Sequence, residues 1–126
     1  MMQFRFLDWD VYKDSQKLFS LVLKIVKELP KEHRYDLGSQ ILRSASSVVL
    51  NIAEGSGKQS DKELNRFIEI ALGSLYETLA NADILKINGF INEEMFKEVQ
   101  IITSNISNQL GGFKKKLSNK QVVSSR

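Results

Sequence analysis

The residues able to do chemistry in this chain are one histidine, scattered serines and a glycine-lysine turn, and none has the spacing a reaction needs. A carboxylate-bridged metal pair in a helical protein needs inward glutamates and Glu-x-x-His pairings on two helices. His33 is the only histidine, and Pro30 rather than an acid stands three residues before it. A serine nucleophile needs a base held by a third group. Nothing in the chain sets a serine beside His33, and a lone loop histidine is expected to be solvated. Cysteine is absent, which removes disulfides, thiolate zinc sites and cysteine nucleophiles. Gly55-Ser56-Gly57-Lys58 has the residue types of a phosphate loop without its order, since four residues must separate the first glycine from Gly-Lys-Ser/Thr. What survives is weaker: Lys58 beside the free N–H groups of the next helix, as a minor anion site. The reading is a protein that is not an enzyme and holds no cofactor and no metal.

Four amphipathic segments must position whatever remains. In the first, about 10–29, Val11, Leu18, Val22, Ile25 and Leu29 recur at helical spacing, and Pro30 stops it. In the second, about 36–54, Leu37, Ile41, Ala45, Val48 and Ile52 form one stripe flanked by small residues that admit close neighbours. Gly55 is expected to end it in the left-handed conformation. The third, about 61–88, opens at a capping box in which Ser60 accepts from the Glu63 N–H and the Glu63 carboxylate returns to Ser60. Asn88-Gly89 ends it. The fourth, about 93–117, opens at Asn92 and points Val99, Ile102, Ile106, Leu110, Phe113 and Leu117 inward. Gly111-Gly112 weaken its end by up to about 1 kcal/mol each relative to alanine. Short connections force antiparallel neighbours, so the expected fold is all-α, an up-down-up-down four-helix bundle over 1–117 with a flexible basic tail at 118–126.

Polar residues on these helices receive structural readings. Asn51 and Glu54, three apart, are expected to satisfy backbone groups around the turn that follows. Gly73 costs about 1 kcal/mol in mid-helix, which close helix approach would offset. Hairpin arithmetic sets it across from Arg43, whose guanidinium is then expected to reach Glu69 or Glu77. Phe19, Leu42, Val49, Leu72 and Tyr76 face outward in this scheme and leave more apolar surface than one core can hide, so the chain is expected to self-associate.

The net charge of +3 is unevenly spread. Lys114, Lys115, Lys116, Lys120 and Arg126 carry five positive charges with no acid among them, and residues 1–113 hold a net of −2. Such a tail attracts phosphate through counterion release; a solvated end that serves solubility is the blander reading. The longest apolar window, 18–26, is interrupted by Ser20 and Lys24 and is too short for a membrane span. The start has no leader pattern, so a soluble cytoplasmic protein is expected.

Leu37 to Ala45, the run Asn51-Ile52-Ala53-Glu54-Gly55 and the stretch from Glu63 to Glu77 resemble one known family. These are the four-helix-bundle proteins encoded by intervening sequences of bacterial large-subunit ribosomal RNA genes, also labelled S23 ribosomal protein. The accessory variability-determinant protein of diversity-generating retroelements is related to them. The resemblance implies a bundle assembling as a ring-shaped homopentamer. In the retroelement members it implies contact with a reverse transcriptase and with RNA or DNA through basic surface. Three positions depart from the family pattern: Val49 replaces a common proline, and Leu72 and Leu42 replace frequent arginines. These departures imply a straighter second helix and move nucleic-acid contact toward the tail. The implied function is a self-associating, nucleic-acid-binding or reverse-transcriptase-associated accessory protein; a protein-interaction scaffold without nucleic acid is the alternative.

Overall fold

The computed structural model describes residues 4–124, with side chains described through residue 118. Four long helices form an antiparallel bundle: α1 (Asp10–Glu28), α2 (Ser39–Ser56), α3 (Asp61–Ile87) and α4 (Glu93–Ser124). No strand occurs among the described residues. Each helix packs on the next in sequence, α4 closes back on α1, and the α2–α3 pairing is the most extensive. A 3-10 turn, Arg5–Asp8, packs on α1 and α2. The bundle therefore has one end formed by this turn, the α2–α3 connection and the last turns of α4. At the other end the α1–α2 connection meets the α3–α4 turn, where the His33 ring lies edge-on to Phe90 at 5.2 Å.

The apolar period explains the core directly. Leu18, Val22, Ile25, Ile41, Ala45, Val48, Ala71, Leu75, Val99 and Ile106 are buried, one stripe from each helix. Chain termini of the helices follow local chemistry. Leu29 is extended ahead of Pro30, which ends α1. Its open carbonyls are met by Arg34, which donates from Nε to Leu29 O (3.0 Å) and from Nη2 to Lys27 O (2.9 Å). Asn92 Oδ1 accepts from the Met95 N–H at 2.8 Å and starts α4. Gly89, at φ +80°, is the glycine with a left-handed backbone, and it closes α3.

Several sequence expectations need correction. The second helix does not begin as regular α-helix at 36; a π-helical segment, Arg34–Gly38, precedes Ser39. There Gly38 lies against α1, where an added Cβ would sit 2.8 Å from Val26 Cγ1. Gly55 is not a left-handed cap. It is a buried helical residue of α2, and a Cβ there would meet Phe67 Cβ at 2.9 Å and Leu64 Cδ1 at 3.2 Å. Gly73 is the reverse case: it is exposed, nothing lies within 4 Å of its would-be Cβ, and no helix approaches it. Of the residues expected to face outward, Val49 is buried and Phe19, Leu42 and Leu72 pack partly onto the core, leaving only Tyr76 strongly exposed. The four helices bury wider arcs than a single stripe. Finally, α4 passes through Gly111 and Gly112 unbroken and runs to Ser124 rather than stopping near Leu117.

Candidate nucleic-acid interface

The end that collects the N-terminal turn and the last turns of α4 also collects cations and aromatic rings. Trp9 precedes α1 in an extended conformation, which sets its ring against α4, with the Phe113 centroid 5.1 Å away. The Arg5 guanidinium lies 5.6 Å over the Trp9 ring, a distance at which the ring quadrupole attracts a cation. Two adjoining clefts share Trp9, Phe113 and Lys116. One, of about 350 Å³, reaches Asp10, Gln109 and Gly112; the other, of about 260 Å³, reaches Arg5, Leu64 and Leu117. Gln109, Gly112, Phe113 and Lys116 reach these clefts together because they recur at three and four residues along α4.

The sequence-predicted cations distribute as follows. Lys115 and Lys116 are exposed and make no ion pair among the described residues. Lys114 reaches across to α3 and pairs with Glu69 at 3.4 Å. Lys120 lies in the final turns of α4, with its side chain outside the described residues, and Arg126 falls outside them altogether. Lys58 Nζ sits 5.0 Å from the Phe67 ring centroid, and the Arg66 guanidinium is 4.6 Å from that same centroid. Asp61 and Glu63 stand in the first turn of α3, so the N–H groups that an anion beside Lys58 would use already face carboxylates.

The structural motif residues separate along α2 and α3. Arg43 is exposed without an ion pair and reaches neither Glu69 nor Glu77; Glu69 instead holds Lys114 and accepts from Asn65 at 3.3 Å. Half of the capping box forms: Ser60 Oγ accepts from the Glu63 N–H at 3.1 Å, while the exposed Glu63 carboxylate makes no return bond. Glu54 contributes its carbonyl to the Gly57 N–H at 3.1 Å, and its exposed carboxylate has no partner. Asn51 Nδ2 donates back to the Ser47 carbonyl at 2.8 Å and to Ser47 Oγ at 3.0 Å. From there a polar seam crosses to α3. Ser47 Oγ lies 2.7 Å from Ser74 Oγ, and Thr78 Oγ1 bonds Ser44 Oγ at 2.9 Å and the Ser74 carbonyl at 2.8 Å. Ser44 and Thr78 are fully buried yet satisfied, as buried hydroxyls must be.

Sequence reasoning missed Arg5, Trp9 and Phe113 as a group, along with Arg66. A signal was available in Phe4-Arg5-Phe6 and Trp9, a cation set among rings just before a helix. Reading Phe113 as a core residue hid the other half. His33, expected to be solvated, is half-buried, with Nδ1 covered and 3.6 Å from Asp36 Oδ1. No group of three or more potential metal ligands occurs among the described residues. No helix among them is long and apolar enough to cross a membrane.

The family model of the 23S rRNA-intervening sequence protein matches residues 7–112. The chain belongs to that family. No curated protein matches it. The fold of the chain is similar to the crystal structure of a protein with unknown function from the S23 ribosomal protein family of Bacteroides thetaiotaomicron. The TM-score is 0.78 at 24% identity, covering 83% of this chain and 98% of that one. The matched span holds the polar seam, Gly55 and most of the Trp9 clefts. Arg5 and Lys114, Lys115 and Lys116 lie outside it, whereas Lys58 and Arg66 lie within it.

Proposed function

We propose that this family member is a non-enzymatic, self-associating bundle whose assembly binds nucleic acid, or an enzyme that works on nucleic acid such as a reverse transcriptase. The observation that carries the nucleic-acid half is the absence of an ion pair at Arg5, Lys115 and Lys116, beside the half-buried rings of Trp9 and Phe113 at one end of the bundle. A cation that neutralises a phosphate releases a counterion condensed on the nucleic acid, and no acid among the described residues competes for these three. Repetition strengthens the effect, because a ring such as the homopentamer implied by the resemblance would present several copies of a weak site, and linked contacts raise avidity by about 10²–10⁴.

The self-association half rests on α3. Ile70, Gly73, Glu77, Ala80, Ile84 and Ile87 are all exposed and recur at alternating three and four residues, the spacing of a helix seam. Ile84 is 49% and Ile87 72% exposed, and Tyr76 beside them 65%. The stripe runs about 26 Å at 1.5 Å per residue. This stripe alone would also serve a protein-interaction scaffold without nucleic acid, which is the second reading.

Retention of single- and double-stranded RNA and DNA at several salt concentrations, for the full chain and for a chain ending at residue 113, separates the two. Salt-dependent binding lost with residues 114–126 supports the first reading. Unchanged retention after that truncation supports the scaffold. A sedimentation mass of 14.4 kDa at working concentration would remove self-association from both.

A further inference from the structure

We infer that the Trp9 cleft is a seat for one unpaired nucleobase, so that the protein prefers single-stranded over duplex nucleic acid. The inference rests on the nucleic-acid reading above and adds to it a place and a strand class. Four features of the cleft converge. Its wall is the half-buried Trp9 indole, tilted 41° from the Phe113 ring and with the Arg5 guanidinium 5.6 Å from its centroid, so a base stacks on the indole in place of that guanidinium. Its floor is open because Gly112 has no side chain, and nothing lies within 4 Å of where a Cβ would stand. Two acceptors line its polar side. They come from Asp10 and from Gln109, whose Nε2 donates to Asp14 Oδ2 at 2.7 Å and so leaves its Oε1 as an acceptor. Lys116 lines it, and Arg5 lines the adjoining cleft that shares Trp9, Phe113 and Lys116; neither cation is ion-paired among the described residues.

Those features specify a ligand with a flat apolar face, an edge bearing N–H donors, and negative charge close beside it. An unpaired adenine, cytosine or guanine in a phosphodiester chain has all three. In a duplex the same face is covered by neighbouring bases and the donor edge is engaged in pairing. The volume, about 350 Å³, lies within the range of small-ligand sites, roughly 300–1,000 Å³. Asp10 repels phosphate, so it places the base edge, not the backbone, on that side. A peptide side chain would not require the two cations close to the cleft.

Trp9 is the single tryptophan in the chain, so its fluorescence reports on this cleft alone. Full-length protein is titrated with a single-stranded oligoadenylate and, separately, with a duplex of equal length. The expected result is saturable quenching by the single strand, none by the duplex, and binding weaker by about tenfold or more when Gly112→Leu fills the floor, as loss of one stacked base implies. Arg5→Ala is expected to weaken the quenching and lower its salt dependence. Both substitutions are at exposed positions, and circular dichroism confirms that each variant keeps its helices. If the oligonucleotide is retained but Trp9 is unquenched, or Gly112→Leu changes nothing, the cleft assignment falls while nucleic-acid binding stands. If neither strand class is retained, both fall together.

Discussion

Two glycine-to-alanine substitutions with opposite expected signs test the packing on which the bundle depends. Gly55 lies where α2 meets the start of α3, and its added Cβ would stand 2.9 Å from Phe67 Cβ and 3.2 Å from Leu64 Cδ1. Leu64 Cδ1 is the far end of a flexible side chain and can rotate. Phe67 Cβ is fixed to the α3 backbone, so the two helices must separate by several tenths of an ångström. Overpacking of this kind costs about 1–3 kcal/mol. Gly55 is in the last turn of α2, so the helix-propensity gain of up to about 1 kcal/mol is only partly realised there. The net is a loss of about 1–2 kcal/mol. An unfolding entropy of roughly 2.1 cal/mol/K per residue converts this to a fall in Tm of about 4–8 °C for a chain of this length. Gly111 is the control: it is exposed within α4, and nothing lies within 4 Å of its would-be Cβ. There alanine gains up to about 1 kcal/mol, a rise of up to about 4 °C. Thermal unfolding followed by circular dichroism at matched concentration measures both. Equal shifts of the same sign, or a Gly55→Ala protein as stable as the parent, would refute the close α2–α3 approach.

Further outcomes follow from the same geometry. Ser44→Ala and Thr78→Val should each destabilise by about 0.5–1.5 kcal/mol in denaturant titration, and the double variant should lose less than their sum because the two hydroxyls partner each other. Arg34→Ala, which strips the Lys27 and Leu29 carbonyls of their donor, should cost about 0.5–1.5 kcal/mol by the same assay, whereas Arg34→Lys should not fully restore stability, since an ammonium lacks the forked geometry. Replacing Lys115 and Lys116 together with glutamine should weaken retention of RNA or DNA and reduce its log-log salt slope by about 2, with no preference for sequence. Gly73→Leu should leave thermal stability unchanged or raised, because the site is open, yet lower the sedimentation mass toward that of one chain; an unaltered mass would remove α3 from the self-association seam.

The parts of this structure legible in the sequence are those set by local period. Ile41, Ala45, Val48 and Ile52 recur on one helical face, and that face is buried whatever the partner is. Pro30, Ser60, Asn88-Gly89 and Asn92 punctuate the helices through bonds to their immediate neighbours. Partner choice across the bundle was not legible in the same way. Arg43 and Glu69 are reasonable partners in a planar drawing of the α2–α3 hairpin. Rotation of α3 about its axis, however, turns Glu69 toward α4, where Lys114 meets it. The same gap hid the Trp9 cleft, because Trp9 and Phe113 are separated by the whole bundle in sequence and adjoin only once α4 closes on α1. Gly55 was misread because a glycine near a helix end has two uses, left-handed backbone or close approach, and only the position of Phe67 decides between them.

The helical glycines divide by what an added Cβ would meet, and the division bears on function. Gly38 and Gly55 would clash with neighbours inside the chain at 2.8 and 2.9 Å, so their loss of helix propensity is offset by packing within the monomer. Gly73, Gly111 and Gly112 meet nothing within 4 Å. Each gives up as much as about 1 kcal/mol relative to alanine with no internal contact in return. Gly73 sits in the middle of the exposed α3 stripe, and Gly112 floors the Trp9 cleft. An isolated monomer would be more stable with alanine at either position; in the function proposed above, contacts with other molecules offset that loss. On that proposal the α3 stripe is one such contact and the cleft another, on different parts of the bundle, and a copy engaged through α3 would keep the end holding Arg5 and Lys116 free for a strand.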